Sequence, residues 1–461
     1  MKHLRIRTIL NKRNTLLGLL VILLSQSATA LAALPDKYAF RQWAQTPPMG
    51  WDSWDCYGPS VTEQEIKANA DFMANHLKSY GWNYVIVDIR WYVENQTTGQ
   101  YNIKDPIYVI DKYGRYQPAV NRFPSAAGGK GFKALADYIH SKGLKFGIHI
   151  MRGIPKIAVQ RKLPIKGGNG ITADQIYSPE GQCKWLADNY TILADRKGAQ
   201  DYYNSILDLY ASWGVDYIKV DDLSSPYHQG EIEMVRKAID QCGRPIVLST
   251  SPGETPIEKA DHVRKHANMW RMVNDVWDNW SDLTHLMQVA RQWYPYIAPG
   301  TWPDCDMIPL GHLAIKGERG NDRMTKLTKD EQYSLMTFFT IFRSPLIFGG
   351  DLPSIDPFTL SLLTNQDVLR MHKESQNVRL VFQDQDKLAI TSTDPHTGTY
   401  LAVFNLSDDS TRNIKVNLKD LGLSGSRKVR DLWSGKSLGK VNNQYAVTLR
   451  PHASILVEFL K

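Results

Sequence analysis

With 461 residues, 43% of them apolar, the chain can bury a large core and exceeds the length of one ordinary compact domain. Its formal net charge of +8 is concentrated at the start: without Lys2, Arg5, Arg7, Lys12 and Arg13 it falls to about +3. A balance so near neutral gives no argument for a nucleic-acid partner. Cys56, Cys183, Cys242 and Cys305 lie far apart, with no CxxC pair and no His cluster at zinc spacing, which argues against a metal site.

The first element in chain order is a targeting segment over 1–33. A basic leader precedes the short apolar run 16–24, and Ala28-Thr29-Ala30 or Ala30-Leu31-Ala32 supplies small residues for cleavage. The run is too short to span a bilayer comfortably. The expectation is export, to the periplasm or beyond, with no membrane segment in the mature protein.

Over 34–375 one pattern recurs: amphipathic helix, glycine, short apolar strand. Thr62 and Glu65 make a capping box, and Ile66, Ala70, Met73 and Leu77 follow on one helical stripe. Gly81 and a strand over 84–88 come next. Phe132, Leu135 and Ile139 precede Gly143 and a strand over 145–151. Tyr203, Ile206, Leu207 and Tyr210 precede Gly214 and a strand over 217–221. Each glycine is placed to end its helix in the left-handed conformation. Further apolar strands fall at 245–249, 269–273 and 345–348. Alternating strands and helices predict parallel β/α units closed into a (β/α)8 barrel. A doubly wound open sheet is the alternative, without the glycine-rich phosphate loop of its nucleotide-binding versions. From 376 to 461 the texture changes to short alternating segments at 378–382, 387–392, 400–405, 413–418, 428–432, 444–449 and 454–460, which predict an antiparallel β-sandwich.

Barrel enzymes gather their chemistry at the carboxyl ends of the strands. Here those ends carry Asp88, Asp221 with Asp222, Asp275, Asp304 with Asp306, and Asp351. Side chains alternate along a strand, so Lys219 shares a face with Asp221, and Arg271 with Asp275 if the strand continues that far. A cation beside each carboxylate tunes one to stay ionised and the other to move a proton. With 13 Trp and 22 Tyr to stack on pyranose faces, converging carboxylates fit glycoside hydrolysis. The same carboxylates could build a divalent-metal site, or a barrel that binds sugars without cutting them.

The motifs carrying these residues resemble glycoside hydrolase family 27, the α-galactosidase family, across nearly all of the chain after the leader. Thr46-Pro47-Pro48-Met49-Gly50-Trp51-Asp52-Ser53-Trp54 is similar to the family's opening strand, Trp302-Pro303-Asp304-Cys305-Asp306-Met307 to its W-N-D-P-D-M, and Ser344-Pro345-Leu346-Ile347 to its last barrel strand. Asp431-Leu432-Trp433 and Pro451-His452-Ala453-Ser454 resemble its β-domain. The resemblance implies a retaining enzyme without metal or cofactor, with Asp221 as nucleophile and Asp275 as acid/base. It implies a sugar pocket lined by Trp54, Asp88, Lys219, Arg271 and Asp306, and terminal α-D-galactosyl groups as the family's usual substrate. Galactose-cleaving members generally carry a D-D pair where this chain has Asp88-Ile89. Ile89 cannot hydrogen-bond a hydroxyl at the C4–C6 edge, so β-L-arabinopyranose, which lacks C6, becomes the alternative sugar. His149, in the run His149-Ile150-Met151-Arg152-Gly153, and the stretch Ser249-Thr250-Ser251-Pro252-Gly253 also depart from family patterns. His149 is thus a candidate for sugar contact or for a bond within the barrel wall.

Overall fold

A computed structural model describes residues 38–460; the expected leader over 1–33 lies outside the described residues. Eight parallel strands form the first layer: β1 (Met49–Asp52), β2 (Tyr84–Val87), β3 (Lys145–Met151), β4 (Tyr217–Asp221), β5 (Val247–Thr250), β6 (Met269–Arg271), β7 (Trp302–Asp304) and β8 (Leu346–Phe348). Each pairs with the next in chain order from β1 to β7, and β8 returns to pair with β1. The ring closes through Met307–Ile308, just past β7, which pairs with β8 after the chain turns at Asp306 with φ +88°. The fold is therefore the barrel and not an open sheet. Strands covered on both faces read as continuous apolar runs, and the four residues of β2 are all buried.

The helices α1 (Glu63–His76), α2 (Lys133–Ser141), α3 (Ala199–Trp213), α4 (Gln229–Gln241), α5 (Trp280–Val289) and α6 (Lys329–Phe342) surround the strands. The Thr62–Glu65 capping box is present, and Ile66, Ala70, Met73 and Leu77 are fully buried. Gly81, Gly143 and Gly214 adopt φ of +106°, +72° and +90°, the left-handed turns that return each chain segment to the barrel. Two barrel-strand ends differ from expectation by two residues, the others by one at most. β5 starts at Val247, past Pro245, which has no N–H for a sheet ladder. β6 stops at Arg271, so Asp275 sits in the following loop and not on an extended strand.

The C-terminal layer is an antiparallel sandwich of β9 (Gln376–Gln383), β10 (Lys387–Asp394), β11 (Gly398–Asn405), β12 (Arg412–Asn417), β13 (Ser426–Asp431), β14 (Ser437–Asn442), β15 (Gln444–Leu449) and β16 (Ser454–Leu460). A six-stranded sheet ordered β9-β10-β11-β16-β13-β14 faces the pair β12-β15. Strand β14 was not expected from sequence, because its residues are mostly exposed at the sheet edge and its two apolar residues, Leu438 and Val441, do not alternate. Alternation in β11 explains the docking: Leu401 and Val403 enter the sandwich core, while Tyr400, Ala402 and Phe404 point into the barrel's core. Trp433 Nε1 donates to Thr337 Oγ1 at 2.8 Å and Trp280 stacks on His452 at 4.1 Å across the same junction.

Candidate active site

The carboxyl ends of the strands surround a cavity of about 500 Å³, lined by Trp54, Asp88, Ile89, Lys219, Asp221, Arg271, Asp275 and Asp306 among others. All of these were expected to line a sugar pocket or to act there. Each arrives by its element. Asp88 follows β2 directly, Lys219 and Asp221 project from one face of β4, and Arg271 ends β6. Asp306 occupies the left-handed turn after β7.

Ion pairs organise the floor. Lys219 Nζ donates to Asp88 Oδ2 at 2.9 Å. Arg271 pairs with Asp306 at 2.6 Å through one terminal nitrogen and with Asp275 at 3.1 Å through the other. The Arg271–Asp275 contact thus forms although the strand ends at Arg271. Asp306 also accepts the Val276 N–H at 2.8 Å. Burial dominates at Asp306 and, helped by Asp275, overcomes Arg271, so its pKa rises to about 7.

Asp221 behaves differently. Burial alone would raise its pKa, but the hydrogen bond and charge of His149, with Lys219 beyond, hold it at about 2. His149 Nε2 donates to Asp221 Oδ2 at 2.8 Å. His149 is wholly buried and does not line the cavity; it is the wall-bonding histidine of the two readings, acting behind Asp221. The other carboxylate oxygen, Oδ1, has no hydrogen-bond partner among the described residues. Asp275 contrasts with it: its side chain is 48% exposed, at the cavity mouth.

Three strand-end carboxylates stay outside the cavity lining: Asp304, buried at the end of β7 with its Oδ1 accepting the Asp306 N–H at 3.0 Å, Asp222 and Asp351. Asp222 turns away with φ +63° to pair with Arg152 at 2.8 Å, and burial pushes its pKa up to about 6. Asp351 accepts from Tyr57 Oη at 2.5 Å and from the Ser354 N–H, a structural role just past β8. The sequence reading missed several others. Asp55 lines the cavity beside Trp54, with Oδ2 buried and unpartnered; a Cβ at Gly349 would come within 2.0 Å of that atom. Burial, with Asp306 and Asp275 nearby, raises the Asp55 pKa well above the usual range. Its position next to Trp54 in the opening motif was the available signal. Tyr101, Trp185, Trp277, Glu318 and Arg319 complete the mouth from loops that carry no periodic signal. Arg152 was noted only as a departure. It is a buried hub joining Asp222, Glu231 and the Gly181 carbonyl.

Away from the cavity, Glu233, His262 and His266 bring ligand atoms within 4.8 Å of one another at the surface. Sequence spacing could not join Glu233 on α4 to the two histidines. The four cysteines are unpaired. No helix among the described residues is long and apolar enough to cross a membrane.

The Alpha galactosidase A family profile matches residues 46–158 and 188–374, and the Alpha galactosidase C-terminal beta sandwich domain matches 385–459. The chain belongs to the α-galactosidase family, glycoside hydrolase family 27. It is therefore a family 27 glycosidase. A family 27 β-L-arabinopyranosidase of Geobacillus stearothermophilus is 50% identical, with a TM-score of 0.89 covering 92% of this chain and 98% of that one. A variant of the same enzyme is known in complex with arabinose. A putative α-N-acetylgalactosaminidase of Bacillus halodurans is 45% identical, with a TM-score of 0.82 over 90% of this chain and 97% of that one. Alpha-galactosidase 2 of Arabidopsis thaliana is 28% identical over 420 residues, 89% of this chain and 88% of that protein.

Proposed function

We propose that the protein is a retaining exo-glycosidase that releases terminal β-L-arabinopyranosyl groups. The family's usual sugar, α-D-galactose, is the expectation that this reading replaces. The observation that carries it is Ile89, which lines the cavity beside the Lys219-bound Asp88 and is 2% exposed. Ile89 offers methyl groups where a hydroxymethyl group would need a polar partner. An unpaired buried hydroxyl costs roughly 1–3 kcal/mol, about 5- to 150-fold in preference. Likeness at 50% identity to an enzyme described as a β-L-arabinopyranosidase supports the same sugar.

In this mechanism Asp221 attacks the anomeric carbon through its unpartnered Oδ1, while His149 holds Oδ2. Asp275 protonates the leaving oxygen, then takes a proton from water as that water opens the glycosyl-enzyme ester. Lys219 with Asp88 and Arg271 with Asp306 hold the ring hydroxyls. A carboxyl held at about 2 stays ionised while a second, half-exposed one donates the proton.

The test is kcat/KM on p-nitrophenyl β-L-arabinopyranoside and α-D-galactopyranoside, for wild type and Ile89→Asp. Wild type should prefer the arabinoside, and the substitution should swing preference toward galactose by about 10-fold or more. Wild-type preference for the galactoside would sink the pentose reading, and turnover of neither would sink both sugars.

A further inference from the structure

The cavity of about 500 Å³ runs from a buried floor to a half-exposed rim. Its floor, from Asp88 to Asp306, is buried, and Asp275 stands at its rim with a side chain 48% exposed. A leaving group that takes its proton from Asp275 must therefore extend outward past that rim. What it meets there is aromatic. Tyr101 and Trp185 line the cavity and meet edge to face, with ring centroids 5.8 Å apart at 90°, and Trp54 leans on Tyr101 at 6.0 Å. Trp277, two residues after Asp275, also lines the cavity, with the Arg319 guanidinium 6.0 Å from its ring centroid.

Trp185 lies within 159–187, the stretch that the family profile leaves unmatched. The segment is nonetheless fixed in place. Asn102 Nδ2 donates to the Trp185 carbonyl at 2.8 Å, and Arg152 donates to the Gly181 carbonyl. At its far end, Asp188 forms a buried 2.6 Å ion pair with Arg90 and accepts from Tyr92 at 2.7 Å. The chain thus holds an aromatic wall, partly in a stretch outside the family profile, at the side where the leaving group departs.

Resting on the function proposed above, we infer that Trp185 and Tyr101 form a leaving-group subsite for a second, neutral sugar ring. Its apolar face stacks on Trp185, and Glu318 and Arg319 lie along the same rim to meet hydroxyls. The substrates are then oligosaccharides in which the terminal pentose is attached to another pyranose, not to a small alcohol.

Two substrates with the same terminal sugar separate this subsite from the floor: β-L-arabinopyranosyl fluoride, whose leaving group is too small to reach Trp185, and a β-L-arabinopyranosyl-xylose disaccharide. The readout is the ratio of kcat/KM, disaccharide over fluoride. Trp185→Ala should lower that ratio about 10-fold, largely through KM, and Trp185→Phe should restore most of it. Lys184→Ala, exposed on the same segment, should keep the wild-type ratio. An unchanged ratio in Trp185→Ala overturns the subsite, whether both rates hold or both fall together. If wild type cuts galactosyl fluoride and not the arabinosyl one, the sugar assignment fails, and the galactosyl pair reads the subsite in the same way. If it cuts neither, the proposed function fails; calorimetric titration with xylobiose then decides, since equal binding by wild type and Trp185→Ala overturns the subsite and loss of binding supports it.

Discussion

The floor and the mouth of the cavity are built by opposite means. The floor is charged, buried and mounted on strand ends, with every cation committed: Lys219 to Asp88, Arg271 to Asp306 and Asp275. The mouth is aromatic, half-exposed and mounted on loops, one of them in a stretch that the family profile does not cover. Rigid strands can hold a carboxylate within the tolerances of bond making, whereas loops can vary without disturbing that chemistry. Changes to the floor, and to Asp275 at the rim, should therefore act on the chemical step, and changes to the aromatic mouth on the choice of leaving group.

The largest effect should come from Asp221→Asn. Loss of the proposed nucleophile should lower kcat about 10⁴-fold or more, with an unchanged circular dichroism spectrum. Asp222→Asn, one residue on but turned out of the cavity, should cost far less. Equal losses would mean that the floor is not organised around Asp221.

Arg152 is where the two regions meet, since it holds Asp222 beside Asp221 and Gly181 in the stretch outside the family profile. Arg152→Met leaves Asp222 and Glu231 buried without their cation and should destabilise the fold by about 3–5 kcal/mol, read from denaturant midpoints. A variant that loses mouth selectivity but keeps full stability would show the two regions to be mechanically independent.

Protonation offers a gentler way to compare them. Asp306 at about 7 and Asp222 at about 6 bind protons more tightly folded than unfolded, where a carboxyl titrates near about 3.9. Between those values the native state carries the extra protons, so stability falls as pH rises through about 6 to 7. His228 and His372, held at about 4 and about 3 by burial, push the other way below about 6.5, so the carboxyl contribution is read as the difference in unfolding free energy between wild type and Asp306→Asn, which should be larger at pH 5 than at pH 8. Asp306→Asn should remove part of that slope. A difference that does not change with pH would mean that Asp306 does not hold an extra proton in the native floor.

The same contrast decides what the sequence made legible. Floor residues sit at the ends of apolar runs, so Asp88, Lys219, Asp221 and Arg271 could be placed by strand period alone. The family resemblance supplied the roles of Asp221 and Asp275, although Asp275 proved to be on a loop. Asp222 and Asp351 look equally catalytic in sequence. Only the backbone turn at Asp222 and the Tyr57 contact of Asp351 take them out of the site. Trp185, Tyr101 and Arg319 follow no period, and loop side chains converge through tertiary contacts that a linear pattern does not encode. Strand β14 failed for a related reason, since an exposed edge strand has no buried face to print an alternation.

The smallest effect should be the sharpest probe of the floor. His149 touches no solvent and lies outside the cavity lining, so replacing it cannot remove a direct contact from the cavity wall. It acts through Asp221, whose carboxyl is held at about 2 against the opposing push of burial. In His149→Phe that push remains while the hydrogen bond and its charge are gone, so the Asp221 pKa must rise. Because Asp221 has to be ionised to attack, the acid limb of kcat/KM should move up by about one unit, or about 1.4 kcal/mol. Asp275, the proposed acid, shares no hydrogen bond with His149, so the alkaline limb should stay in place. Mouth variants such as Trp185→Ala should shift neither limb. If the acid limb of His149→Phe does not move, Lys219 and the remaining surroundings suffice to keep the nucleophile charged, and His149 merely fills the wall behind it.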